Sequence, residues 1–186
     1  VKLRNAKLPT ELERLGAGVF YGCENLTEQV LSEKLQSIEK AAFFMCRSIK
    51  KITFPARLKR IDDGAFAGCS SLEAINLPSS LQYLGEQAFA GCAALRRVSI
   101  PEGVNSLSKQ VFQGCSHLYR IDLPEGLYAI GDEALSGCIA LEIINMPKST
   151  FRIGVRAFHN CQQLREIRLV DHIHMIEDGA FMECKL

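Results

Sequence analysis

Leu118 to Cys138 reads LYRIDLPEGLYAIGDEALSGC, and the same unit returns on both sides of it without a gap. Eight cysteines mark its beat: Cys23, Cys46, Cys69, Cys92, Cys115, Cys138, Cys161 and Cys184, each 23 residues after the last. The unit is C-x-x-L-x-x-I-x-L-P-x-x-L-x-x-I-G-x-x-A-F-x-G. Apolar residues stand three places after the cysteine (Leu72, Leu95, Leu118), six after (Ile75, Val98, Ile121) and eight after (Leu77, Ile100, Leu123). Proline follows at Pro9, Pro55, Pro78, Pro101, Pro124 and Pro147. Three places before each cysteine stands phenylalanine, replaced once, by Leu135. Disulfide frameworks staple loops of unequal length, so a fixed interval instead marks one structural position used eight times.

The I-x-L alternation predicts a short strand with two side chains inward and its neighbours outward. Proline ends it, because it cannot donate to the next ladder rung. A second extended piece follows, as at Leu81 to Leu84 and Leu127 to Ile130. Glycine and acidic residues then predict a brief helical segment, as in Gly131-Asp132-Glu133-Ala134-Leu135. One unit cannot bury its own apolar face, so coils stack and share a core. Equivalent residues then lie ~4.8 Å apart, the strand spacing, giving a body ~40 Å long. Phenylalanines form one column and cysteines another. Parallel Cβ vectors at that spacing suit neither disulfides nor a converging metal site, so the thiols read as buried and structural, with no metal and no cofactor.

The period and the leucine positions are those of leucine-rich repeats. The pattern L-x-x-I-x-L-P-x-x-L-x-x-I-G-x-x-A-F-x-G-C, clearest from Leu95 to Cys115 and Leu118 to Cys138, resembles the BspA-like branch along the whole chain. The expected fold is an α/β repeat: one right-handed solenoid over residues 1–186, of about eight 23-residue turns with short parallel strands and short helical segments. The asparagine ladder of the common animal-receptor type is absent; Ser80, Gly103, Gly126 and Ser149 stand in that region. The resemblance implies a cell-surface or secreted protein of host-associated bacteria or parasitic protozoa, active in adhesion and the binding of host matrix proteins. It carries no shared catalytic residues. Departures fall at Gln29, in place of a branched apolar residue, at Ser32 and Val170, in place of proline, and at Leu135 and Thr150. The stretch from Glu28 to Lys40 is expected to be the least regular.

A formal net charge of +1 gives no whole-molecule drive toward nucleic acid. No run approaches the ~18 apolar residues of a membrane span, so neither nucleic-acid binding nor membrane insertion is expected. The chain opens Val1-Lys2-Leu3-Arg4, without Met or a signal-peptide core, and 186 residues make eight units and two residues over. Neither end reads as a capping turn, so the chain is expected to be a fragment of a longer protein, or its ends to associate. His172 and His174 flank Ile173 near Asp171 and Glu177, and read as a solvated pair. His117 and His159 are isolated. No Ser-His-Asp or Cys-His set and no glycine-rich phosphate loop stands out, so an enzyme is not expected.

Binding is expected on the outward strand positions. With the residue preceding each strand, they include Arg4, Lys7, Lys50, Lys51, Arg96, Arg97, Arg120, Arg165 and Arg168 against Glu28, Glu73, Asp122, Glu142 and Glu166, a net +4 against +1 for the chain. Such a face reads either as an ordinary solvated sheet or as a platform for an acidic protein segment or sulfated glycan. The candidate contacts are Lys51, Arg96, Arg97, Tyr119, Arg120 and Arg168. Two roles are open: a non-catalytic adhesion and protein-binding module of a surface protein, or an intracellular scaffold or spacer with no ligand of its own.

Overall fold

The computed structural model describes residues 3–185. Two extended pieces per coil build two parallel ladders. The second piece forms the longer one. Its strands are β1 (Arg14–Leu15), β2 (Ser37–Ile38), β3 (Arg60–Ile61) and β4 (Tyr83–Leu84), paired in that order, then β6 (Ser106–Leu107), β8 (Ala129–Ile130), β10 (Arg152–Ile153) and β12 (Met175–Ile176). Register advances by one unit per rung, Leu15 on Ile38 and Ile38 on Ile61. Seven complete coils lie between β1 and β12. The I-x-L piece pairs less continuously: β5 (Arg97–Ser99) with β7 (Arg120–Asp122), β9 (Ile143–Asn145) with β11 (Glu166–Arg168), and a bridge from Lys51 to Ala74. It carries the expected alternation, with Val98 and Ile121 buried between exposed or half-exposed neighbours.

The expected helical segments are absent: no helix occurs among the described residues, and Asp132 to Gly137 is a run of turns. The cause is backbone conformation. Two positions per coil are left-handed, one in the series Gly18, Ala41, Gly64, Gln87, Gln110, Glu133, Arg156, Gly179, the other in the series Gly22, Met45, Gly68, Gly91, Gly114, Gly137, Asn160, Glu183. A right-handed helix cannot propagate through them. Alternate N–H groups therefore serve different coils. Phe43 N–H donates to Ala65 O of the next coil (2.7 Å), while Cys46 N–H donates to Phe43 O of its own (3.1 Å). Ala41 holds φ 54° where three coils have glycine. Ala41→Gly is expected to raise stability by about 0.5–1 kcal/mol, since the left-handed conformation is costly for a residue with a Cβ. Urea unfolding checks this.

Inside, Phe20, Phe43, Phe66, Phe89 and Phe112 stack in one column with centroids 5.0–5.7 Å apart. Leu135, fully buried, interrupts it before Phe158 stacks on Phe181. All eight cysteines are free; the first seven are buried and Cys184 is half-buried. Each from Cys46 onward donates its S–H to the carbonyl of the residue 26 places earlier: Cys46 to Phe20 O (3.0 Å), Cys69 to Phe43 O (3.2 Å), Cys92 to Phe66 O (3.3 Å). Phe43 O thus accepts both the N–H of Cys46 and the S–H of Cys69, which fills both lone pairs of a buried carbonyl. Cysteine recurs because that place wants a small apolar side chain with one weak donor.

The departures are absorbed locally. Thr150, fully buried, donates to Leu127 O (3.3 Å), and Ser32 donates to Thr10 O (2.5 Å). Gln29 is buried with Nε2 donating to Ala6 O (2.8 Å) and Val30 O (2.9 Å), while its Oε1 has no partner. The irregularity is shorter than expected, because Ser37–Ile38 is a regular strand paired on both sides. Leu169, expected inward, is 48 % exposed.

Net charge alternates in sign from coil to coil. Cut at the cysteines, the units 1–22, 23–45, 46–68 and 69–91 carry +2, −2, +4 and −2, and the units 92–114, 115–137, 138–160 and 161–183 carry +2, −3, +2 and −3. Stacked neighbours therefore attract. Ion pairs cross between coils, as Arg14–Glu39 (2.8 Å), Arg97–Asp122 (2.9 Å) and Arg152 with both Asp132 (2.8 Å) and Glu177 (3.0 Å).

Candidate functional site

The first sheet carries the expected residues, and parallel register sorts them into rows. Arg97 lies directly beside Arg120, and Ser99 beside Asp122. Tyr119 N–H donates to Arg96 O (3.0 Å), placing those two on adjacent rungs just ahead of the strands. Arg96, Arg97, Tyr119 and Arg120 therefore form one cluster. Lys51 and Arg168 stand apart from it. Lys51 pairs with Ala74, which precedes Arg97 by one coil. Arg168 lies on β11 opposite Asn145, in the row of Asp122.

Electrostatics change the reading of this face. Asp122 Oδ2 accepts from Arg97 (2.9 Å) and Oδ1 from Arg120 (2.8 Å), so one carboxylate ties both guanidiniums. Burial raises the carboxyl's pKa, but the hydrogen bonds from Arg120 and Arg97 outweigh it and hold Asp122 below the usual carboxylate range. Arg165 pairs with Glu142, and Arg168 with Glu166 at 2.6 Å. Four of the nine cations counted from sequence are thus tied up in local pairs, and Arg96 is the cluster's unpaired cation. Tyr119 is 47 % exposed and Ile143 40 % exposed. Together with Arg120, Asp122, Glu142 and Asn145 they border a groove of about 340 Å³. A second groove of about 450 Å³ runs along Ala74, Asn76, Arg97 and Ser99.

Features of the longer ladder escaped the sequence reading. Tyr128, Phe151 and His174, one coil apart, stack at 5.2 and 4.6 Å. Arg60 lies 4.1 Å over the ring of Tyr83. Aligning the residues that follow each second leucine would have exposed the aromatic series, since it too has period 23. His174 Nδ1 also faces His172 O at 2.8 Å, and among the described residues no three His, Cys, Asp or Glu side chains converge on a metal position. A groove of about 510 Å³ opens at the first coils, between Lys7, Leu8 and Pro9 and Val30, Leu31 and Glu33. No helix among the described residues is long and apolar enough to cross a membrane.

A parallel β-solenoid of 23-residue coils, leucine-like inside and polar on its outward rungs, defines the class: a leucine-rich repeat protein. The chain belongs to the BspA-type leucine-rich repeat family, whose model matches residues 1–118 and 92–186 in six copies. A leucine-rich cell surface protein from Faecalibacterium prausnitzii A2-165 superposes at TM-score 0.84 with 30 % identity, over 92 % of this chain and 48 % of that one. The leucine-rich repeat protein of T. pallidum superposes at 0.82 with 29 % identity, over 89 % and 79 %. One from Eubacterium ventriosum ATCC 27560 shares the fold at 0.76 and 21 % identity, over 92 % and 56 %. The chain spans about half the length of the Faecalibacterium protein. Comparison with curated protein sequences gives no match. Family and solenoid are of a typically non-catalytic kind, suited to binding proteins.

Proposed function

We propose that this chain is a non-catalytic binding module of a cell-surface protein, and that its first sheet engages an acidic segment of a protein on a host or neighbouring cell. The carrying observation is the cluster of Arg96, Arg97, Tyr119 and Arg120 beside an open groove, with Tyr119 and Ile143 exposed next to the cations. Aromatic and arginine side chains are the usual anchors of protein interfaces. The F. prausnitzii protein, named as a cell surface protein, supports the location, and the repeat family supports a protein-binding role. Asp122 acts here as an internal mimic of the partner, holding two guanidiniums in place until an external carboxylate competes for them.

The test starts from a protein captured in a screen of immobilised matrix and cell-surface proteins. Arg97→Glu with Arg120→Glu is expected to weaken its binding at least about tenfold, and Asp122→Asn to strengthen it about threefold with a steeper salt dependence. Unchanged affinity in the double reversal would show that another face is used.

A further inference from the structure

Within the alternating charge pattern one coil stands out. The unit 46–68 carries +4, twice any other basic coil, between neighbours of −2 each. Of its six cations, Arg47 reaches Glu24 (3.6 Å) and Arg60 reaches Asp62 (2.5 Å). Lys50, Lys51, Arg57 and Lys59 are exposed and form no ion pair. Their surroundings differ. Lys50 and Lys51, on the first sheet, have Glu73 and Glu28 at nearby positions of the adjacent coils. Arg57 and Lys59 approach the longer ladder, where the matching positions on either side are Lys34 and Ser80, and Gln36 and Gln82. Lys34 is already paired with Glu11, and Glu13 accepts from Gln36 Nε2 (3.3 Å). Two free cations therefore stand side by side with no acidic residue at either flanking position.

They also border a concave surface. Arg57 and Lys59, with Gln36, Ala56 and Ser80, line a groove of about 400 Å³. Ser80 Oγ is committed to Leu58 O (2.6 Å). What the groove offers a ligand is thus two positive charges, the acceptor oxygens of Gln36 and Ser80 and one methyl group, that of Ala56. No exposed aromatic or large aliphatic side chain lines it, which removes the anchors a peptide partner would use. An open groove of charge and amide groups fits a chain of sulfates or carboxylates on sugar rings, held by charge pairing and by hydroxyl contacts.

We infer that the groove between Arg57 and Lys59 is a second binding site, on the other ladder from the protein-binding face, and that it takes an anionic polysaccharide. The site shares no residue with the Arg96–Arg120 cluster, so each stands or falls alone.

A heparin dodecasaccharide serves as the probe, titrated calorimetrically into the whole chain at low and physiological salt. Arg57→Glu with Lys59→Glu is expected to weaken binding at least about tenfold, while Arg97→Glu with Arg120→Glu changes it less than about twofold. The charge-conserving Arg57→Lys with Lys59→Arg keeps binding within about threefold, and the variants at 57 and 59 melt like the parent because those side chains are exposed and unpaired, whereas Arg97→Glu with Arg120→Glu loses both Asp122 pairs and melts somewhat lower. No heparin binding at low salt, or an undiminished affinity in the first double variant, overturns the site. Polyglutamate of matched charge binding as tightly as heparin overturns the assignment to a polysaccharide and points to an acidic peptide.

Discussion

Raising the pH above 9 is expected to unfold this protein steeply, with stability falling by several kcal/mol per pH unit. The cause is the thiol column. Burial pushes Cys46 and Cys115 from the ordinary 9.0 up to about 12, and it raises Cys69, Cys92 and Cys138 as well. Neighbouring thiols add to this, since each would place its charge beside the next. A group whose charged form the fold disfavours keeps its proton longer in the folded chain than in the unfolded one. Between pH 9 and about 12 the unfolded chain has released protons that the folded chain still holds, so each buried thiol lowers stability by about 1.4 kcal/mol per pH unit, and below 9 the contribution is fully present. Five such groups acting together would exhaust a typical domain stability of about 5–15 kcal/mol within two or three pH units. Urea titrations at successive pH values measure the slope, and Cys92→Ala should reduce it by about one proton. A stability unchanged up to pH 11 would show that the thiols are not held protonated by the fold. The same burial predicts that thiol reagents react slowly with the seven buried thiols of the native chain, and that eight groups are counted after denaturation without reductant.

Phe89→Ala, a truncation in the middle of the aromatic column, is expected to cost about 3–5 kcal/mol. Phe89 is fully buried and stacks on both sides, 5.2 Å from Phe66 and 5.7 Å from Phe112. Truncation opens a cavity and removes the nearest-neighbour coupling between coils on either side. Unfolding should therefore broaden or split into two steps, the halves no longer melting together. Phe181→Ala gives the contrast. That ring is only half-buried and stacks at 5.4 Å on Phe158, so its loss should cost clearly less. Equal costs at the two positions would mean that the column does not couple the coils. Calorimetric melting of both variants distinguishes these outcomes.

The identity of the equivalent residues was legible in the sequence, because period 23 holds without an insertion, and that alone predicted the stacked coils, the buried columns and the outward rows. Repetition says which residues meet their own kind, and burial follows from their apolarity. It does not say how the backbone travels between them. The left-handed turns at Ala41, Gln87 and Glu133 leave no mark in those residues themselves; only glycine at the same place in other coils hinted at them, and the helix expected there gave way to turns that hydrogen-bond across coils. Nor does a face's net charge say which charges are free. Asp122 meets Arg97 across 25 residues because a parallel ladder sets Asp122 beside Ser99 and so diagonally across from Arg97, while Arg57 and Lys59 stay unpaired because none of the matching positions on adjacent coils is acidic. Periodicity is a property of the chain and fixes equivalence; pairing depends on the distances between side chains of different coils, and only the stacked structure sets those.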